Sequence, residues 1–196
     1  MVNQRSIFLL QHLTTKLKTP MPPRSTSKTI IAAVFTVYFL WCVYSPENAR
    51  FTHLINLPIH EAGHVLFRIF GEFAGIAGGS LLQILVPIVF FGYFVYYEKP
   101  FSAAIVLFWV GNNFLDVYVY ANDAIVMQLP LLSGLTGAEG GFHDWNYLLT
   151  ETGFLDKTHL VAKLLRFTGT LLTVAAAVGA FFYARQGEKL VSDIEI

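Results

Sequence analysis

Residues 74–97 run for 24 positions without a charged side chain, closed by Glu98, Lys99 and Pro100. Such a stretch is long enough to cross a bilayer, since a spanning helix needs roughly 20 mostly apolar residues. Three further apolar runs follow, at 29–44 and 167–184 without a charge and at 101–121 with polar residues, Asp116 among them, embedded in it. Of 196 residues, 55% are hydrophobic and 13% charged, against roughly 25% charged in soluble domains. That is too little charge to coat a water-soluble fold, and too apolar for intrinsic disorder or a coiled coil. The expected fold is an all-α, polytopic membrane helix bundle of about five to six membrane segments. One transmembrane domain over 29–184 is expected between a basic tail, 1–28, and a short polar tail, 185–196.

The formal net charge of zero hides an asymmetry. Residues 1–28 carry Arg5, Lys16, Lys18, Arg24 and Lys28 and no acid, so the rest of the chain is net acidic. A basic tail before an apolar run places the N-terminus in the cytoplasm by the positive-inside rule, which implies the cytoplasmic (inner) membrane. A cleaved signal or transit peptide is the competing reading. Against a secretory signal stand the very long basic region and the lack of a small-x-small site after the apolar run. The tail has no interleaved aromatics, which excludes nucleic acid as a partner. The single Cys42 lies in an apolar run, so neither a disulfide framework nor a cysteine zinc site is available.

Two segments are apolar but not cleanly so. Residues 53–70 (HLINLPIHEAGHVLFRIF) carry His60, Glu61 and His64, which are costly against lipid and tolerable against a protein-lined cavity. Residues 124–150 open apolar and turn Gly-rich, the pattern of a re-entrant or loop element. No internal repeat or low-complexity tract is evident.

The chemistry lies in His60-Glu61-Ala62-Gly63-His64, an HExxH sequence. On a helix, positions i and i+4 stack one turn apart, so both imidazoles reach one metal ion. Zinc is the expected cofactor, with Glu61 as general base on a zinc-bound water. Surface histidines are no explanation in an apolar stretch, which leaves a metal-free hydrogen-bonded cluster as the bland alternative.

HEAGH within an apolar helix of a small multi-span protein resembles the site-2 protease class of intramembrane zinc metalloproteases. The resemblance implies a third ligand from a later membrane helix, an aspartate in an LDG-like motif. The nearest text is Asn112-Asn113-Phe114-Leu115-Asp116, where Val117 stands in place of the glycine.

A hydrolytic zinc site needs a third protein ligand, and the sequence offers two places for it. Asn112, Asp116 and Asp123 fall within roughly 40° of one another on a helix, a polar stripe that must face protein or water. It is either a site wall or a helix–helix hydrogen-bond seam. His143-Asp144 follows Gly137, Gly140 and Gly141, where the backbone turns freely, and so suits a ligand delivered from a loop. The order of preference is His143, Asp123, Asp116, Asp144. His53, on roughly the same helix face as His60, either supports a ligand from behind or lies at the membrane interface, whereas His12 and His159 read as surface residues. Six histidines are too few for a membrane di-iron oxygenase.

The expected function is cleavage of a peptide bond in or beside the bilayer. Asn112, Asn113 or Asn122 would bind substrate or the oxyanion. Residues 71–79 (GEFAGIAGG) either present backbone to an extended substrate or form a turn. The partners implied are the lipid bilayer and a membrane-embedded peptide or lipid. A zinc-dependent hydrolase of a lipid amide or ester is the first alternative. A non-catalytic metal-binding protein or transporter is the second, and would show a closed four-ligand shell.

Overall fold

A computed structural model describes residues 23–48 and 51–185. They form six α-helices: α1 Thr26–Tyr44, α2 Phe51–Phe67, α3 Glu72–Tyr96, α4 Pro100–Asn122, α5 Asp144–Glu151 and α6 Thr158–Tyr183. Short 3-10 turns lie at Arg68–Phe70, Gly137–Glu139 and Leu155–Lys157. Among the described residues there is no strand, only an isolated bridge between Pro130 and Thr136. Residues 1–22 of the basic tail, His12 among them, and residues 186–196 lie outside the described residues.

Four helical segments are long and apolar enough to cross a membrane: Thr26–Tyr44, Glu72–Tyr96, Pro100–Asn122 and Leu155–Tyr183. They contain the four apolar runs of the sequence nearly whole, the last helix extending well ahead of its run. α2 has 17 residues, short of the roughly 20 that a span requires. The outward faces of the bundle are apolar: Val37 is 71% exposed, Val89 68% and Val178 67%. Exposed valines in that number suit lipid and not water.

α4 is the central helix. It packs against α6 most extensively, then against α3 and α1, while α1 also packs on α6. Small residues set the α4–α6 distance: a Cβ on Gly111 would lie 2.7 Å from Thr173 Oγ1 and 2.9 Å from the Gly169 carbonyl oxygen. Close backbone approach of this kind is how membrane helices gain packing without a hydrophobic driving force. Beside it, Phe39 of α1 stacks on Phe108 of α4 at 5.2 Å, within a core that includes Cys42. The Ser25 amide donates to the Ala184 carbonyl at 3.0 Å, tying the start of α1 to the end of α6.

α2 lies on the opposite flank, packed mainly on α3. The segment 71–79 is neither an open turn nor a substrate platform: Gly71, at φ +106°, ends the 3-10 turn and α3 begins at Glu72. The glycines that follow face α2. A Cβ on Gly78 would meet the Gly63 carbonyl oxygen at 2.5 Å and Phe67 Cβ at 2.6 Å. The residues between α4 and α5 form an ordered loop. Asp123 accepts the Gln128 and Leu129 amides at 3.0 and 2.9 Å, and Thr136 and Glu139 form a reciprocal capping box.

Candidate metal centre

The HExxH residues lie on α2 as their spacing predicts. The His60 and His64 rings are 4.8 Å apart and nearly perpendicular. Both Nε2 atoms approach one oxygen, Asp144 Oδ2, each at 3.1 Å. His60, His64 and Asp144 form a largely buried group able to hold a metal ion. Bonds of about 2.0–2.1 Å in a tetrahedral zinc site put neighbouring ligand atoms roughly 3.3 Å apart. The observed 3.1 Å separations are close to that edge.

The outer contacts of the imidazoles decide which ring nitrogen is available. His64 Nδ1 lies 3.0 Å from the Gly75 carbonyl oxygen, which only accepts, so Nδ1 carries the proton. His60 Nδ1 lies 3.0 Å from Gln83 Oε1 and donates in the same way. In the neutral rings both Nε2 lone pairs then face a carboxylate oxygen. Three electron-rich atoms at that distance repel one another unless positive charge, protons or a cation, lies among them. Metal-binding histidines typically have such Nδ1–H acceptors, which fix ring orientation and raise basicity.

α3 leaves room for the group. A Cβ on Gly79 would come within 2.6 Å of His60 Nε2 and 2.7 Å of His64 Nε2. The glycine therefore forms one wall of the cradle. The other side is open: the His64 side chain keeps 26% exposure, against 10% for His60 and 11% for Asp144. It opens into a cavity of about 990 Å³ lined by Glu61, His53, Tyr120, Ser80 and Arg68 among others.

Asp144 is the first residue of α5, and several contacts hold that helix in place. The Asp144 amide donates to Tyr120 Oη at 3.1 Å, Trp145 Nε1 to Ser80 Oγ at 3.1 Å, and Asn146 Nδ2 to the Ala124 carbonyl at 2.8 Å. His143, the residue preferred by sequence as third ligand, is the N-cap of α5. Its Nδ1 accepts the Asn146 amide at 3.2 Å, so the proton sits on Nε2, which lies 3.4 Å from Asp123 Oδ2. Burial pushes the His143 imidazole down, against the raising pull of Asp123, and the ring stays neutral. His143 and Asp123, first and second in the sequence order, thus hold each other while Asp144, fourth in that order, reaches the two histidines.

Asp116 lies elsewhere as well. It accepts from Asn56 Nδ2 of α2, and His53 Nδ1 is 3.9 Å away. Trp109 Nε1 donates to Asn56 Oδ1 at 2.8 Å and Asn112 Nδ2 to Thr52 Oγ1 at 3.2 Å. Asn112 and Asp116 of the α4 stripe thus form a hydrogen-bond seam with α2, and Asp116 also lines the cavity, whereas Asp123 turns to the following loop and His143. Asn113 Nδ2 donates within α4 to the Trp109 carbonyl at 2.9 Å, and Asn122 Oδ1 lies 3.4 Å from His159 Nδ1. None of the three carboxamides expected at the substrate is among the cavity-lining residues. Sequence reasoning passed over Gln83 and Tyr120, and took Gly79 only as part of the 71–79 segment and not as a wall of the histidine cluster. Gln83 had a usable signal, as the only carboxamide in residues 74–97.

The chain matches no protein-family model, no curated protein and no solved structure.

Proposed function

We propose that the protein is a membrane-embedded zinc hydrolase, an intramembrane metalloprotease resembling the site-2 class. The observation that carries this reading is the convergence of His60, His64 and Asp144 on one point beside an open cavity that Glu61 also lines. Three protein ligands and an open side are the pattern of a catalytic zinc site, whereas structural sites are closed by four. Imidazole and carboxylate donors together suit zinc. Zinc, when bound, supplies Lewis-acid polarisation of a carbonyl and a water whose pKa is lowered towards about 7.

The residues of the chain then have separate tasks. His60 and His64 present Nε2 because their Nδ1–H groups donate to Gln83 Oε1 and the Gly75 carbonyl oxygen. Glu61 accepts a proton from the attacking water and returns it to the leaving amine. The cavity favours a substrate that continues on both sides of the reacting bond. It reaches His53 on one side of the cluster and Arg68 on the other, roughly 10 Å and 6 Å along the helix axis. A polypeptide runs through such a groove, whereas a lipid amide or ester would place its head group at one end.

The chain is read as an integral protein of the inner membrane with a cytoplasmic N-terminus, on the strength of its basic tail. The test is Glu61→Gln, reconstituted in vesicles with a fluorogenic single-span reporter peptide. Zinc content should equal that of the wild type while cleavage falls by roughly 10²–10⁴-fold. Equal cleavage by both proteins, or a wild type that takes up no zinc, refutes the reading.

A further inference from the structure

Tyr120 sits at the ligand cluster without belonging to it. Its ring, on the last turn of α4, lies between two imidazoles, with centroids 4.4 Å from His143 and 6.0 Å from His60. Its Oη accepts the Asp144 amide at 3.1 Å. That bond uses an oxygen lone pair, so the hydroxyl proton points elsewhere. No hydrogen-bond acceptor for it is found among the described residues, and Tyr120 lines the cavity together with His60, Glu61 and His64. The other hydroxyl placed similarly, Ser80, accepts from Trp145 but is itself buried at 7% exposure. Of the asparagines that could have donated to substrate, Asn112 and Asn113 donate to Thr52 and the Trp109 carbonyl, and Asn122 does not line the cavity.

We propose that the Tyr120 hydroxyl donates a hydrogen bond to the substrate oxygen on which negative charge develops. The inference rests on the hydrolytic reading and gives that site its oxyanion donor. The hydroxyl keeps its proton throughout; it stabilises charge and transfers nothing. The Asp144 amide fixes its oxygen beforehand, so little reorganisation accompanies the reaction, which is the condition for effective electrostatic stabilisation.

The probe is acetohydroxamic acid, a chelator whose carbonyl oxygen stands in for the developing oxyanion. The full-length protein, loaded with Co(II) in detergent, is titrated with it and read by visible absorption. Tyr120→Phe should bind Co(II) as the wild type does and acetohydroxamate roughly 10- to 100-fold more weakly, as for loss of a hydrogen bond to a charged acceptor. Unchanged acetohydroxamate affinity overturns the proposal. So does a loss of Co(II) itself, which would make Tyr120 only a positioning residue for Asp144. A deficit in Ser80→Ala that Tyr120→Phe does not share moves the role to Ser80 and likewise overturns it. The hydrolytic reading fails separately, in the Glu61→Gln comparison, and a wild type that takes up no Co(II) defeats both.

Discussion

Gly79 lies against His60 so closely that a Cβ at residue 79 would come within 2.6 Å of Nε2, the atom directed at Asp144. The same Cβ would meet His64 Nε2 at 2.7 Å. Neither ring has room to retreat without leaving Gln83 or Gly75, its Nδ1 partner. Gly79→Ala should therefore reduce zinc affinity by about 10-fold or more, since displaced outer-shell contacts cost that much. Gly92→Ala on the same helix meets nothing within 4 Å and should leave zinc unchanged while stabilising the helix by about 0.5–1 kcal/mol. Zinc content by mass spectrometry and thermal unfolding in detergent separate the two effects. Full zinc affinity in Gly79→Ala would contradict the geometry.

Two adjacent residues, His143 and Asp144, divide the work of the third-ligand segment. Asp144→Ala removes the carboxylate shared by both imidazoles and should abolish stoichiometric zinc. His143→Ala removes the α5 cap and the contact with Asp123, costing about 1–2 kcal/mol of stability as cap losses do. It should weaken zinc without abolishing it. If His143→Ala lost all zinc while Asp144→Ala kept it, His143 would be the ligand.

The contrast shows what the sequence could and could not convey. The four apolar runs forecast the four long helices, the first three to within about three residues at each end, because span length and apolarity are local properties. The last run missed the start of α6, where Lys163 and Arg166 interrupt the apolar pattern. The HExxH pair was equally legible, since i and i+4 on one helix fix their own geometry. The third member of the cluster was not, because which of two neighbouring residues faces α2 depends on how α5 starts. At His143 the backbone is extended and the ring folds back to cap the helix; at Asp144 the first helical residue turns towards the histidines. Asp116 was misleading for a related reason. A polar stripe signals only an inward face, and Asn56, which receives it, lies 60 residues away in sequence.

The capping box in the loop before α5 gives a pH prediction. Hydrogen bonds from the Thr136 amide and hydroxyl hold the Glu139 carboxyl below its usual range. A carboxyl depressed in the folded state contributes stability that is present above its unfolded pKa and is lost as pH falls through the folded value. Amide exchange at Thr136 should therefore accelerate on acidification relative to its intrinsic rate. Glu139→Gln should flatten that dependence. A wild-type profile that already follows the intrinsic rate would remove Glu139 from this role.

Asn56 links α2 to α4 through two side chains at once. It donates to Asp116 and accepts from Trp109 Nε1, at 1% exposure. In Asn56→Ala, Asp116 loses this donor and the indole N–H its acceptor, for an expected loss of about 2–4 kcal/mol. Zinc affinity should stay near that of the wild type, because His60 is oriented from α3 and not from this seam. Chemical unfolding in detergent and zinc titration of the same preparation check both halves.

Gln83 is where stability and metal affinity should come apart in the opposite sense. It is 5% exposed in the middle of α3, and its Oε1 lies 3.0 Å from His60 Nδ1. Gln83→Leu fills similar volume and keeps the apolar packing, so the helix bundle should survive. Without that acceptor, His60 no longer has its proton directed to Nδ1, and the Nε2 lone pair is no longer fixed towards Asp144. The expected loss in zinc affinity is roughly 10- to 100-fold. Gln83→Glu restores an acceptor at the same place and should recover affinity, a rescue that a purely steric role for Gln83 would not produce. Zinc binding in Gln83→Leu equal to wild type would mean that His60 is oriented by something other than this contact.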